Sequence, residues 1–172
     1  MKKKILAGFG VIVFAFLAFV AWALLIGNKR SPAATVTHDP VSVTYCRPYK
    51  KGRVIFGDDD ALVPNGRYWR LGANAATEIT FAKDVKLAGQ PVQAGQYVMY
   101  AVPNATTWKV VLNSENGRWG AREVDHDKDV LTVEVPVEHV TEPLEQFTIT
   151  VDDNGLILAW DTTVVRVPIT ST

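Results

Sequence analysis

A single cysteine, Cys46, stands in the chain. No disulfide can form within it, so an apolar core has to hold the fold together. Histidine is scarce too, with only His38, His126 and His139. None lies in an HExxH or Cys–His spacing, and no GxSxG elbow occurs, so no hydrolase motif can be read. An excess of either charge is also lacking. Lysine plus arginine and aspartate plus glutamate number 18 each, and no global field steers the chain toward nucleic acid. Past the first thirty residues there is no helical periodicity, no internal repeat and no second long apolar run.

One such run is present at the start. Ile5 to Ile26, "ILAGFGVIVFAFLAFVAWALLI", carries no charge. A helix needs about 20 apolar residues to cross a bilayer, whereas the apolar part of a signal peptide has about 7–15. Lys2, Lys3 and Lys4 precede the run, and Lys29 and Arg30 follow it. The excess on the N-terminal side places that end in the cytoplasm. Trp22 lies near the far end, where an indole suits the interface. Cys46 follows polar sequence, so there is no lipobox, and "SPAA" at Ser31 to Ala34 is a poor cleavage site. Residues 1–27 therefore read as an uncleaved single-pass anchor that contacts the lipid bilayer through residues 5–26. Secretion after cleavage is the alternative. Residues 28–40, with Pro32 and Pro40, read as a tether, and residues 41–172 as one domain.

Alternation dominates that domain. Val41, Val43 and Tyr45 share a face, as do Trp108, Val110 and Leu112, then Leu131, Val133, Val135 and Val137. Phe147, Ile149 and Val151, then Leu156, Leu158 and Trp160, then Val165, Val167 and Ile169 repeat the pattern. "QYVMYAV" is apolar on both faces, which predicts a strand buried on both sides. "DDNG" at Asp152 to Gly155 is a hairpin signal, since Asn and Gly tolerate positive φ. "PNAT" after Val102 is another turn, and "KLAGQPVQAGQ" holds two glycine turns around a short strand. Pro136 marks Val133–Val137 as an edge strand, because proline cannot donate to a ladder. Eight to ten short strands at this spacing predict an all-β, antiparallel β-sandwich.

Several motifs carry a family resemblance: "VTYCRPYKKGRVIFG", "LVPNGRYWRLGANAATEITF", "AGQYVMYAVP", "WKVVLN" and "WGAREVD". The chain from Val41 to Ile169 resembles a domain-of-unknown-function family, number 2911, whose members are exported proteins of Gram-negative envelopes. The resemblance implies an inner-membrane anchor with the domain in the periplasm. It implies no activity. Two departures stand out. Cys46 occupies a position where the family commonly has a small residue, which argues against a nucleophile there. Asn65 in "PNG" replaces an aromatic of the family's "PYG".

The strongest site candidate joins "CRPYKKGR" to "WRLGANAAT". Arg47, Lys51, Arg53 and Arg70 offer donors for carboxylate or phosphate, Asn74 an amide, and Trp69 a stacking face. Gly72, Ala73, Ala75 and Ala76 leave room for a close approach. The approaching object is either a ligand or the protein itself. In the second case Arg70 pairs with Glu78 or a nearby aspartate, Asn74 caps the turn and Trp69 belongs to the core. Trp119, in the glycine-flanked loop "NGRWGARE", is the aromatic expected to be exposed. "DHDKD" at Asp125 to Asp129 spaces carboxylates for a hard cation, but Val130 and Pro136 stand where an EF-hand needs Gly and Glu, so a solvated loop is expected. "DDD" at Asp58 to Asp60 reads as a polar turn. No catalytic residue, metal or cofactor is assigned.

The functional expectation is a domain that binds a polar or anionic envelope ligand, such as a glycan or peptidoglycan fragment. A hydrolase acting on envelope polymers and an assembly module docking a protein partner are the alternatives. Clustered ionisable groups in a pocket would favour the hydrolase. A long unpaired edge or an exposed apolar patch would favour the assembly module.

Overall fold

The structure is a computed structural model that describes residues 14–18, 31–117, 120 and 122–171. Of the apolar run, only residues 14–18 fall within it. They are helical, with exposed Phe14, Phe16 and Leu17. The rest of the expected anchor lies outside the described residues. Among the described residues no helix is long and apolar enough to cross a membrane.

The rest is β structure. The strands are β1 (Ala33–His38), β2 (Val41–Cys46), β3 (Phe56–Gly57), β4 (Val63–Pro64), β5 (Thr77–Phe81) and β6 (Val85–Leu87). Then come β7 (Gln90–Val92), β8 (Gly95–Val102), β9 (Thr107–Asn113), β10 (Asp129–Asp152) and β11 (Gly155–Ser171). Nine of them form one sheet in the order β1-β2-β5-β8-β9-β10-β11-β6-β7. Every neighbouring pair in it is antiparallel. The short β3 and β4 form a separate parallel pair, outside the antiparallel expectation.

The expected tether needs correction. Residues 33–38 are β1, paired with β2 from Ala33 opposite Cys46 to His38 opposite Val41. This strand has no apolar stripe beyond Ala34 and Val36, so its sequence carried no period-two signal. Its place in the sheet comes from backbone pairing and from Thr35 and Thr37, whose hydroxyls bond Thr44 and Ser42 on β2.

β10 changes partner midway. Asp129 to Pro136 pair with β9, and Val137 to Asp152 pair with β11. Pro136 lies where the first ladder ends, so its missing N–H interrupts nothing. The next residue, Val137, pairs with Val165 and donates to the Thr106 carbonyl at 2.9 Å. The hairpin at Asp153-Asn154 is present as expected, with Asn154 N–H donating to the Asp152 carboxylate and Gly155 at φ 127°.

One core cluster takes side chains from both ends of the sheet order. Val43 and Tyr45 of β2, Trp108 of β9, Phe147 and Ile149 of β10 and Trp160 of β11 all belong to it. β2 and β10 are not sheet neighbours, yet Tyr45 Oη accepts from Ile149 N–H at 2.8 Å and donates to its carbonyl at 3.2 Å. Burial raises the Tyr45 pKa above its ordinary 10.0 and keeps the phenol neutral. A second cluster covers the other face of β8 and β9: Val98, Tyr100 and Val111, with Ala76 and Val124. That is why β8 is apolar on both faces. Each large side chain so buried contributes about 1.5–3 kcal/mol.

Candidate functional site

The segment Tyr68–Thr77 reaches β5 through a loop with unusual backbone. Leu71 and Asn74 sit at φ 53° and 57°, and Gly72 at φ 147°. Thr77 Oγ1 donates to the Leu71 carbonyl at 2.7 Å, which fixes the turn. A Cβ on Gly72 would lie 2.5 Å from the Cys46 carbonyl oxygen, and one on Gly120 would lie 2.7 Å from the Asn74 carbonyl oxygen. The small residues of "GANAAT" therefore admit the protein's own backbone. Gly72 packs on the end of β2, and Gly120 on Asn74 to Ala76.

A cleft of about 280 Å³ opens beside this loop. Arg53, Trp69, Arg70, Gly72 and Asn74 line it, together with Ser31, Leu62 and Trp160. Four of the residues singled out in the sequence thus meet: Arg53, Trp69, Arg70 and Asn74. Arg70 Nη1 donates to the Asn74 carbonyl at 3.3 Å, and Asn74 Nδ2 to the Ser31 carbonyl at 3.4 Å. Arg53 donates through Nε to Lys50 O and through Nη2 to Tyr49 O. Among the described residues neither guanidinium has a carboxylate within 4.0 Å. Glu78, the expected partner of Arg70, instead accepts from Gln96 Nε2 and Gly117 N–H.

Arg47 and Lys51 do not line the cleft. Arg47 donates to the Phe147 carbonyl at 3.3 Å and to Thr148 Oγ1 at 3.0 Å, which ties the end of β2 to β10. Lys51 is an exposed turn residue at φ 50° whose backbone N–H bonds the Glu145 carboxylate. Trp69 is only 6% exposed. It stacks on Trp160 with centroids 5.9 Å apart and an 18° interplanar angle, and meets Trp108 edge-on. Its role is that of an aromatic wall, not a free platform. Trp119 lies outside the described residues.

A second cleft of about 230 Å³ shares the same aromatic block. Phe56 and Trp108 floor it, and Asn65, Asn104, His139, Asp161, Thr162 and Thr163 wall it. Asp161 sits at φ 53° where the β10–β11 register shifts, and pairs with Lys50 at 2.5 Å. No sequence signal joined these residues, because the bulge that gathers them lies in the unpatterned stretch between His139 and Thr148.

"DHDKD" is more ordered than the solvated loop expected. His126–Lys128 form a 3-10 turn capped by Asp125. Asp129 accepts from Tyr100 Oη at 2.7 Å and from the fully buried Asn113 Nδ2 at 2.8 Å. Tyr100 Oη also lies 2.9 Å from His126 Nδ1. Burial first, and the Asp129 carboxylate second, push the Tyr100 pKa far above its ordinary 10.0. Among the described residues no group of three His, Cys, Asp or Glu is placed to hold a metal.

A family model described as "Protein of unknown function (DUF2911)" matches residues 28–169. The chain belongs to this family. No curated protein and no solved structure matches it. The DUF2911 match begins ahead of β1, so the family's extent includes the strand that the sequence alone assigned to a tether.

Proposed function

We propose that this DUF2911 chain is a membrane-anchored, extracytoplasmic β-sandwich of a Gram-negative envelope, and that the cleft between Arg53 and Arg70 binds a polar or anionic envelope ligand of the glycan or peptidoglycan-fragment kind. One observation carries the binding reading. Two guanidiniums with no carboxylate partner among the described residues converge, with an asparagine, on a cleft walled by two tryptophans. Arginine's planar donors suit carboxylate or phosphate, and the two buried tryptophans give the cleft a rigid apolar wall. The Tyr45–Ile149 bond and the partner change of β10 support two layers closing on one core. The charge-free run from Ile5 to Ile26 behind three lysines supports the anchor.

Titrating the detergent-solubilised full chain with anionic saccharides and muropeptides while following its melting temperature tests the cleft. A ligand at 100 times its dissociation constant adds about 2.7 kcal/mol. The expected result is a rise that Arg70→Ala removes while the unliganded melting temperature holds. A rise that survives in Arg70→Ala places the ligand elsewhere. A protein released from membranes by a carbonate wash defeats the anchor.

A further inference from the structure

The cleft sits where the chain enters the domain. Ser31 lines it and accepts from Asn74, and the next residue, Pro32, accepts at its carbonyl from Arg47 N–H at 2.9 Å. Ile26, the last residue of the charge-free run, stands five positions before Ser31. Five extended residues span at most about 18 Å. With that run in a bilayer, Ser31, at one wall of the cleft, lies within this distance of the end of the run. The rim is suited to such a surface. Val54 and Leu62 are 65% and 45% exposed, and Leu62 N–H donates to the Val54 carbonyl at 3.0 Å, which sets them side by side next to Arg53. Exposed aliphatic side chains beside arginine match the boundary between phosphate and acyl chain. Lys29 and Arg30, just ahead of Ser31 in sequence, add charge of the same sign.

We infer that the anion taken by the cleft is the phosphate of an anionic lipid, one whose headgroup carries no compensating cation, in the membrane that holds the chain. Among the described residues Arg70 donates through Nη1 alone, which leaves Nε and Nη2 for the phosphate, and Arg53 keeps Nη1. Val54 and Leu62 rest on the acyl boundary beside it. A soluble phosphate or sugar acid offers the same charge and no such boundary, so the aliphatic pair separates the two sources. The inference rests on the anchored-cleft reading above and narrows its ligand class.

Hydrogen exchange on the full chain in nanodiscs tests it, with phosphatidylcholine alone compared against phosphatidylcholine mixed with phosphatidylglycerol. The expected result is several-fold slower exchange at residues 53–63 and 70–76 in the anionic discs. Arg53→Gln with Arg70→Gln should reverse it, and so should Val54→Ser with Leu62→Ser, a pair exposed enough to change without unfolding the core. Equal exchange in both discs overturns the inference. So does equal slowing by inorganic phosphate or a soluble sugar acid in phosphatidylcholine discs, an outcome that would leave the anionic cleft standing and remove only the lipid. Slowing that persists in both double variants overturns it as well.

Discussion

The two clefts share one aromatic block and differ in charge. Trp69 and Trp160 wall the first, and Phe56 and Trp108 floor the second. Phe56 meets the other three rings at once, with centroids 5.4 Å from Trp69, 5.0 Å from Trp108 and 6.1 Å from Trp160. Around that common core, the first cleft has guanidiniums that no carboxylate among the described residues neutralises. In the second, the carboxylate of Asp161 is neutralised by Lys50. The aromatic block fixes where a cavity can form, and the loops that edge it fix what charge it presents. The proposed anion site rests on that difference, since the second cleft offers no such net attraction.

Removing the shared block should have the largest effect. Trp160→Ala is expected to cost about 3–5 kcal/mol, the usual loss for a truncated buried aromatic, and to distort both clefts. Denaturant unfolding would measure it, and a loss under 1 kcal/mol would mean the block is not common to both. A narrower blow falls on the first cleft alone. Gly72→Val places a side chain against the Cys46 carbonyl at a φ that suits glycine. It should cost about 1–3 kcal/mol in backbone strain and weaken ligand binding there. Unbalancing the charge at the second cleft tests the contrast from the other side. Asp161→Asn leaves Lys50 without its partner and should cost about 1–3 kcal/mol, the range for a charged hydrogen bond. Ligand titration at the Arg53–Arg70 cleft should be unchanged by it. The smallest effect comes from two tyrosines that line neither cleft. Tyr45 and Tyr100 hold their protons more tightly folded than unfolded, so their contribution is complete below pH 10.0 and declines as pH rises past that ordinary value. Stability measured upward from pH 9 should fall, and Tyr100→Phe should flatten the slope without altering either cleft.

Much of the sheet was legible because burial on one face writes a period of two into the sequence. Val41, Val43 and Tyr45, or Val165, Val167 and Ile169, show it plainly. β1 was not legible because its side chains are mostly exposed and its pairing uses the backbone. The continuity of β10 was hidden for the same reason. His139 to Pro143 are exposed, and the strand persists there without an apolar stripe. At the site, Arg53, Arg70 and Asn74 could be grouped because two glycine-rich motifs flagged them. Arg47 looked equivalent, yet its donors go to Phe147 and Thr148, a hundred residues away, which no local pattern announces. The second cleft depends on the register shift between His139, opposite Thr163, and Leu144, opposite Asp161, and a bulge leaves no signature in residue type alone.

The strand that serves two ladders also sets the order in which the molecule can be completed. β1, β2, β5, β8 and β9 can pair as soon as they are made. β6 and β7 have no route into the sheet until β11 exists, since β6 joins it through Ile169 to Ser171. A nascent chain therefore remains an unfinished sheet with open edges until its final hairpin appears. A stop codon between Asp129 and Gly155 removes β11, the partner of both β10 and β6, so such shortened forms are expected to be degraded as a class and not to accumulate as a stable half.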